Sequence, residues 1–510
     1  MTETILSFDL GTTAVKTALF TVDGQLVAKS TQEYELIVPS ALVVEQDVGV
    51  YWDAVKSGIQ EILGNGSVAP ENIRCIGISA QGETLIPMGK DGSPVRPAIV
   101  WMDNRAHEEA EILAEAFPQS ELLRRTGQVS MCATWPAAKI LWMKRNEPEL
   151  FEQVDKFLLI EDWFIHRLTG EYVSEGSLLC STTYWDIRTK QWWNEMLEYL
   201  GVSASQLPEI REPGEAVGSI RKEVAQELGL SPDTVIATGG LDQACGAIGV
   251  GCIRPGVVTE NIGAALAMCA LVDKPFEDPE GKIPCFYFAL PDMYMAHSFT
   301  TGGIVFRWFR DKFCREELSV AERIGSDAYD LMTDEAANVP PGSEGLLVLP
   351  HLQGAGPPES NTDAKGVFFG LTMRHTKAHM IRAIMESLCF AIRRLIDAFE
   401  ELGIEVDEIR SLGGGAKSEL WLQMKADIAE RPVIVSQDPQ DAGCLGAAIL
   451  AGVAIGVWKT VEEAVDKTVK LAPASAEPSV ELAGKYAGMY AAYTKLYEDL
   501  CGLFAASKSF

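Results

Sequence analysis

Strand-like and helical segments alternate along the first half of the chain, and this alternation constrains the fold more than any other feature. Short apolar runs at 75–79 and 99–101 are typical of buried strands, while 105–116 and 137–145 have helical spacing. Such alternation predicts an α/β layer architecture. Because 510 residues exceed what one hydrophobic core usually organises, we expect at least two domains.

The chain opens on a β-hairpin pattern. Apolar residues 5–8 are followed by Asp9, the Gly-Thr-Thr turn at 11–13 and a second strand-like run at 15–20. Glycine and hydroxyl residues at a hairpin tip can present amides and hydroxyls to phosphate oxygens, and a carboxylate at the strand end can hold a magnesium ion. An ordinary turn explains the same residues, so both interpretations stay open.

A second strand-turn-strand pattern, VVTENIGAALAMCALV, follows the turn cluster at 251–256 and suggests two related halves. Further along, 378–402 has helical apolar spacing and the strand-like run 409–412 leads into GGGAKS. This segment fails the Walker pattern. Three glycines between a strand and a helix permit close approach of a flat adenine ring, although a plain helix-start loop fits equally well.

The segment TGGLDQACGAIGVG places Asp242 directly after two glycines and before a small-residue helix pattern. A carboxylate there is often only a helix cap. The functional interpretation is that the glycines let a substrate approach the backbone, that Asp242 accepts a proton from an attacking hydroxyl, and that Gln243 orients the substrate.

Polar and aromatic groups gather between residues 77 and 106, at predicted strand ends and loops. They are Gln81, Glu83, Trp101, Asp103 and Arg105. Amides, carboxylates and an aromatic face suit a polyhydroxylated ligand, because each hydroxyl taken from water must regain hydrogen bonds. A solvated loop is the competing interpretation.

Charge and composition exclude several classes of partner. Acidic residues number 72 against 43 Lys and Arg, a net charge of −29, so nucleic acid and anionic membranes are unexpected partners. The eleven cysteines are scattered singly, which predicts a reducing, cytoplasmic environment. The uncharged run 442–458 is short for a membrane span and rich in Gly and Ala, so we expect a tightly packed internal helix.

Taken in order, eight segments of the chain resemble the FGGY carbohydrate kinases, and xylulokinase-like members most closely. They are DLGTT, AQGET, WMDNRA, RLTGEYVSEGS, GGLDQACGAIGVG, TGGIVFRW, HMIRAIMESL and GGGAKS, and the similarity runs from residue 5 to about residue 458. The resemblance implies an α/β fold of two ribonuclease-H-like domains, of the actin, Hsp70 and sugar-kinase superfamily, flanking a cleft. Residues 1–252 would be the N-terminal sugar-binding domain and 253–510 the C-terminal ATP-binding domain.

The same resemblance assigns roles to individual residues. Asp242 would be the general base and, together with Asp9, would hold Mg²⁺. The residues implied for the sugar are Gln81, Gly82, Glu83, Asp103, Asp242 and Gln243. Those implied for ATP are Gly11, Thr12, Thr13, Lys16, Gly263, Ala264, Gly303, Gly414, Gly415 and Ser418.

The chain departs from the family pattern in two places that affect the expected function. Ala264 and Ala265 follow Gly263 where a hydroxyl residue is usual, leaving backbone amides to bind phosphate. Gly82 and Thr134 replace bulkier groups found in glycerol kinases, which predicts a larger pocket.

We therefore expect ATP-dependent phosphorylation of a small sugar or polyol hydroxyl, with a ketopentose such as xylulose as the first candidate. Glycerol, a tetritol or gluconate are alternative substrates. A catalytically silent sugar sensor and an ATP-driven conformational machine of the actin or Hsp70 kind are the competing functions. A homodimer is the oligomeric state to test.

Overall fold

The computed structural model describes residues 3–66, 68–472 and 476–507 as a mixed α/β structure. The strands, numbered β1 to β24 in chain order, are Thr4–Leu10, Ala14–Thr21, Leu26–Glu33, Ile37–Ser40, Val43–Gln46, Ile73–Ala80, Ile86–Gly89, Ala98–Ile99, Val154–Leu158, Val173–Glu175, Trp185–Asp186, Gln191–Trp192, Glu209–Arg211, Ala216–Ser219, Val235–Ala237, Gly240–Leu241, Gly256–Ile262, Ala265–Val272, Cys285–Tyr287, Tyr294–Thr301, Leu347–Leu349, Val367–Phe369, Val406–Leu412 and Val433–Val435.

The α-helices, numbered α1 to α18, are Val48–Gly64, His107–Ala116, Gln119–Thr126, Pro136–Asn146, Pro148–Phe151, Ile160–Thr169, Gly176–Leu179, Asn194–Leu200, Lys222–Leu228, Asp242–Gly249, Ile304–Phe313, Arg315–Ile324, Ala328–Ala337, Lys377–Glu401, Glu419–Ala429, Ala442–Ala454, Val461–Thr468 and Val480–Ala506. Short 3₁₀ helices are Pro70–Asn72, Ala204–Gln206, Ser343–Gly345 and Gly414–Ala416.

The chain divides into two compact units, each built from three stretches of sequence. The first unit comprises Met1–Ile253, Val272–Met295 and Asp441–Lys470, and the second comprises Arg254–Leu271, Ala296–Gln440 and Leu471–Phe510. The predicted division into a domain of residues 1–252 and a domain of residues 253–510 stays a prediction.

The first unit is organised around a mixed sheet with the strand order β14-β15-β6-β1-β2-β3, and β16 also pairs with β6. β1 runs antiparallel to β2 and parallel to β6. Ile5, Leu6 and Phe8 of β1 are all buried, because a central strand is covered on both faces and therefore reads as a continuous apolar run. The strands predicted at 5–8, 15–20 and 75–79 are confirmed.

The second unit repeats this arrangement with different strands. Its sheet has the order β20-β18-β17-β23-β24. β17 is antiparallel to β18 and parallel to β23, the same pairings that β1 makes with β2 and β6. The second predicted hairpin is confirmed, and both sheets carry their hairpin turn at the end of a central strand.

Helix α16 is the internal helix that the uncharged run predicts. It packs in the first unit against β1, β6 and α10, and glycines allow backbone contact: a Cβ at Gly446 would lie 1.9 Å from the Cys245 carbonyl oxygen. The helix ends at Ala454 rather than at 458, and Gly456 just beyond it has φ +77°, which breaks the helix. No helix in the described ranges is both long and apolar enough to span a bilayer.

Two predicted boundaries near the site are wrong. The strand predicted at 99–101 ends at Ile99, because the Val100 carbonyl accepts a hydrogen bond from the Lys139 ammonium (3.1 Å) instead of from a strand partner. The helix predicted from residue 105 begins at His107, since the backbone N–H of residue 105 donates to the carboxylate two residues earlier (3.0 Å).

Candidate active site

The β1–β2 turn of the first unit lies beside the Asp9 carboxylate. Asp9 is the penultimate residue of the central strand β1. Its Oδ1 accepts a hydrogen bond from the Ser79 hydroxyl (2.9 Å), and its Oδ2 lies 3.8 Å from the Lys16 ammonium. The Thr12 hydroxyl accepts a hydrogen bond from the Trp101 indole N–H (2.9 Å). Lys16, one of the predicted phosphate-binding residues, therefore lies beside a carboxylate that keeps some exposure to solvent.

Gly443, on the first turn of α16, lies next to the same carboxylate. It was not predicted from the sequence as a site residue. A Cβ there would lie 3.2 Å from the Asp9 Cγ, so any side chain would crowd the carboxylate. The only sequence signal was a glycine two residues after Asp441 at the start of a small-residue helix. Its absence of a side chain leaves space next to Asp9.

Asp242 is the first residue of α10 and is half-buried. Its Oδ1 accepts a hydrogen bond from the Gln243 backbone N–H (2.6 Å). Burial raises the pKa of Asp242 to about 7; the neighbouring carboxylates of Asp9 and Glu83 raise it too, and the Gln243 N–H opposes them. These carboxylates form one electrostatic cluster, with a group able to exchange a proton near neutral pH.

The segment 81–84 brings two predicted sugar-binding side chains to this cluster. The Gln81 backbone N–H donates to the Leu10 carbonyl (3.0 Å), and among the described residues its buried Oε1 has no hydrogen-bond partner. Glu83 has φ +55°, inside a tight turn closed by a hydrogen bond from the Thr84 N–H to the Gly82 carbonyl (2.7 Å). Strained backbone of this kind is kept where the surroundings require it, and here it bears one carboxylate of the cluster.

Lys139, on α4, is the functional residue that sequence reasoning missed most plainly. Its side chain is fully buried, and its ammonium donates to the carbonyls of Glu83 (2.8 Å) and Val100 (3.1 Å). Burial lowers the pKa of Lys139 to about 7 against the pull of nearby carboxylates, and burial raises the pKa of Glu83. A lysine within the apolar run AAKILW was the available signal.

Asp103 and Gly82, two further predicted sugar-binding residues, make close contacts within the protein. Asp103 is fully buried, and its oxygens accept hydrogen bonds from the Arg105 guanidinium (2.7 Å) and the Val44 N–H (2.6 Å). A Cβ on Gly82 would lie 3.0 Å from a Leu241 methyl carbon, so Leu241 occupies the extra space expected there. Direct contact of either residue with a sugar stays a prediction.

In the second unit, the β17–β18 turn binds the start of α11. The Gly303 N–H donates to the Gly263 carbonyl (3.0 Å), and the Ile304 N–H donates to the Ala264 carbonyl (3.0 Å). A Cβ on Gly303 would lie only 2.4 Å from the Gly263 carbonyl oxygen, so this contact needs glycine. Three of the predicted ATP residues are thus brought together.

The GGGAKS segment forms the predicted strand-to-helix connection, with a 3₁₀ turn at Gly414–Ala416. Ser418 caps α15 by accepting a hydrogen bond from the Trp421 N–H (3.2 Å). Apart from its chain neighbours, no described residue has an atom within 4 Å of a Cβ built on Gly414. The Gly415 carbonyl accepts a hydrogen bond from the buried Lys425 ammonium (3.1 Å). Lys425 therefore fixes the loop at Gly415, while Gly414 has space for a ligand to approach its backbone.

The carboxylates of the first unit suit a divalent cation held jointly with phosphate. In the part of the chain that the structure describes, no group of three or more His, Cys, Asp or Glu side chains is arranged to hold a metal ion. Mg²⁺ usually takes one or two carboxylates and completes its shell with water and substrate phosphates. Asp9 and Asp242 provide two carboxylates whose mutual repulsion a cation would relieve.

Two hairpin-bearing mixed sheets, one with a carboxylate cluster and one with a glycine-rich loop, define a sugar-kinase fold. The chain belongs to the FGGY family of carbohydrate kinases: the N-terminal domain of that family matches residues 4–249, and the C-terminal domain matches 269–455. The predicted α/β fold of the actin, Hsp70 and sugar-kinase superfamily is confirmed, and so is the resemblance to xylulokinase-like members.

Relatives named for two different sugars are similar to this chain to about the same degree. The gluconokinase of Bacillus subtilis (strain 168) is 33% identical over 458 residues, covering 89% of this chain and 88% of that protein. The xylulose kinase of the same strain is 32% identical over 460 residues, covering 90% of each. A crystal structure of gluconate kinase from Lactobacillus acidophilus has a TM-score of 0.89 at 28% identity, covering 99% of this chain and 100% of that one. The protein is a phosphotransferase with an alcohol group as acceptor.

Proposed function

We propose that this kinase transfers the terminal phosphoryl group of ATP to a hydroxyl of a neutral ketopentose such as xylulose, with Asp242 as the general base. The observation that carries the proposal is the position of Asp242 at the start of α10, half-buried and in electrostatic contact with Asp9 and Glu83. A carboxylate whose pKa is about 7 can accept the hydroxyl proton near neutral pH. General bases typically increase the rate about 10²- to 10⁴-fold.

The proposed sugar-binding groups lie within residues 1–252. Glu83 would accept hydrogen bonds from neighbouring hydroxyls. Gln81 supports the assignment with a buried Oε1 that has no hydrogen-bond partner in the part of the chain that the structure describes. Gln243 follows the base on the first turn of α10 and would orient the sugar. Gly82 and Asp103 would act through the backbone and through the internal pair with Arg105, respectively.

Charge supports a neutral sugar over a hexonate. The cluster around Asp242 contains the carboxylates of Asp9 and Glu83, and the neighbouring cations are already engaged. The Lys16 ammonium lies 3.8 Å from the Asp9 carboxylate. Lys139 is buried against backbone carbonyls, and Arg105 is paired with acidic side chains. A substrate carboxylate would therefore meet like charges, which disfavours binding. Gluconate is the second candidate, because a gluconokinase is among the most similar relatives.

We propose that ATP binds mostly to residues 253–510 and that its phosphates also meet the β1–β2 turn. Gly263, Ala264 and Gly303 support this assignment because backbone hydrogen bonds join the β17–β18 turn to the start of α11. The proposed groups are completed by Gly11, Thr12, Thr13 and Lys16 on the β1–β2 turn, and by Gly414, Gly415 and Ser418 on the glycine-rich loop. Asp9 and Asp242 would hold Mg²⁺, which when bound neutralises charge on the phosphates.

The proposed location is a reducing compartment such as the cytoplasm. No disulfide is formed by cysteines in the described ranges, and most of these thiols are buried. A homodimer remains a prediction, and size-exclusion chromatography with light scattering measures it.

A coupled ADP assay with a panel of sugars tests the function. We expect kcat/KM for xylulose to exceed that for gluconate, glycerol and a tetritol by at least about tenfold, a difference of roughly 1.4 kcal/mol. Preference for gluconate would overturn the substrate assignment. Sugar binding by calorimetry without any sugar-dependent ADP formation would favour the sensor, and ADP formation that is independent of sugar would favour the conformational machine.

Two matched variants test the base. Asp242→Asn should lower kcat about 10²- to 10⁴-fold while the protein stays folded. Asp233→Asn, at an exposed position in the same unit, should leave kcat unchanged. Near-normal turnover of Asp242→Asn would refute the assigned role.

A further inference from the structure

The direction of the Asp242 carboxylate depends on the segment that leads into α10. Gly239 and Gly240 in this segment have no room for side chains: a Cβ on Gly239 would lie 1.5 Å from the Ile78 carbonyl oxygen, and one on Gly240 would lie 2.7 Å from the Ala289 Cβ. β16, Gly240–Leu241, pairs with β6 immediately before Asp242. A small shift of this backbone would move the proposed base.

Glu161 holds one side of this segment. Its Oε1 accepts a hydrogen bond from the Gly239 N–H (2.7 Å), and the side chain is fully buried in the first turn of α6. Burial raises the pKa of Glu161 well above its ordinary value, and the nearby Glu175 carboxylate raises it too. The hydrogen bond to Gly239 needs only an acceptor oxygen, not a charge.

Ser177 holds the other side through a short hydrogen-bond chain. Its hydroxyl accepts a hydrogen bond from the Leu241 N–H (2.9 Å) and donates to the Glu175 Oε1 (2.7 Å). Glu175 also accepts from the backbone N–H groups of Ser177 (2.7 Å) and Leu178 (2.8 Å). Because the single hydroxyl proton of Ser177 is donated to Glu175, a lone pair of the hydroxyl oxygen is left to accept the Leu241 N–H.

We propose that Glu161 and Ser177 are positioning residues that fix the Asp242 carboxylate by holding the N–H groups of Gly239 and Leu241. The proposal rests on the proposed role of Asp242 as base. Both N–H groups lie within three residues of Asp242, and both acceptors are completely buried. Ser177 is the last residue of the RLTGEYVSEGS segment. This segment would therefore support catalysis by holding the backbone next to Asp242 rather than by contacting the substrate.

Kinetics of single variants test the proposal. Ser177→Ala and Glu161→Leu each remove an acceptor, and we expect kcat to fall about ten- to a hundredfold, since small displacements of catalytic groups cost up to about 10²-fold. The KM values for sugar and ATP should change less than about twofold. Glu161→Gln keeps an acceptor oxygen, so its kcat should stay within about threefold of the parent.

Ser174→Ala is the matched control, because Ser174 is an equally buried serine whose hydroxyl makes no hydrogen bond to 238–242 in the described structure. Its kcat should match the parent. Circular dichroism and thermal unfolding identify variants that fold. Folded Ser177→Ala and Glu161→Leu proteins with parental kcat, or with losses confined to KM, would overturn the proposal.

Variants that fail to fold, and failure of the proposed role of Asp242, also give interpretable results. If Ser177→Ala does not fold, the contrast between Glu161→Leu and Glu161→Gln carries the test; if neither acceptor can be removed without unfolding, the side chains serve stability alone and the proposal is wrong. Failure of the proposed function gives a different result: Asp242→Asn would then keep its turnover. An inactive Asp242→Asn together with normal Ser177→Ala and Glu161→Leu would refute only the positioning role.

Discussion

Replacing Asp242 with asparagine should stabilise the metal-free protein at alkaline pH while removing its activity. Burial and the carboxylates of Asp9 and Glu83 raise the pKa of Asp242 from 3.8 to about 7. A group whose pKa is raised on folding stabilises the native state below its unfolded pKa, and this contribution is lost as the pH rises through about 7. Above that pH the charged Asp242 is a destabilising group.

The size of the effect follows from the pKa change. Roughly three pKa units correspond to about 4 kcal/mol of unfavourable free energy in the charged native state. Because the side chain is half-buried, solvent screens part of this energy, and we expect about 2 kcal/mol. Asparagine keeps the Oδ1 that accepts the Gln243 N–H and removes the charge.

Urea unfolding in EDTA, without nucleotide, measures the effect at pH 5 and pH 8. The free energy of unfolding of Asp242→Asn minus that of the parent should be larger at pH 8 than at pH 5 by about 1 kcal/mol or more. About two thirds of the interval between the unfolded and folded pKa values of Asp242 lies between these two pH values. Asp233→Asn, at an exposed position, should show no such increase. An equal difference between Asp242→Asn and the parent at both pH values would refute the repulsion inferred for this cluster.

Four further variants have separate outcomes. Lys139→Met removes the two hydrogen bonds to the Glu83 and Val100 carbonyls, so the KM for sugar should rise at least about tenfold with the KM for ATP unchanged, as steady-state kinetics would show. Gly239→Ala places a Cβ 1.5 Å from a carbonyl oxygen and should lower the free energy of unfolding by about 3 kcal/mol or more. Gly484→Ala, at an exposed position of α18 with open space around it, should raise the free energy of unfolding by about 0.5–1 kcal/mol; urea unfolding measures both. Ala264→Ser restores a hydroxyl on the exposed second turn and should lower the KM for ATP severalfold; an unchanged value would mean that backbone amides suffice there.

The hairpins, the internal helix and the glycine-rich connection were predictable because their signals are local. Asp9 and the turn at 11–13 follow one another in the sequence, and the Gly and Ala content of α16 directly reflects its close packing. The boundary errors at 99–101 and 105 arose where side chains bind backbone groups in place of regular structure. Local propensity carries no information on such partners.

Residues that act across long sequence distances could not be found in the same way. Lys139 reaches the carbonyl of a residue 56 positions away, and Ser177 accepts a hydrogen bond from an N–H 64 positions away. Gly82 shows the converse: the space expected from its missing side chain is filled by Leu241, which is remote in sequence. A single sequence marks such residues only as polar groups inside apolar runs.

A displaced pKa alone does not identify the base in this protein. Burial raises the pKa of Asp162 and of Glu175 to about 7, as it does for Asp242, and raises that of Glu161 well above its ordinary value. Asp162, Glu161 and Glu175 are completely buried and accept backbone N–H groups, so no substrate hydroxyl can reach them. Asp242 differs because it keeps some exposure, interacts electrostatically with Asp9 and Glu83, and among the described residues is hydrogen-bonded only to the N–H of the next residue. Exposure and hydrogen-bond partners separate the group that can exchange a proton with a substrate from the groups that hold the backbone beneath it.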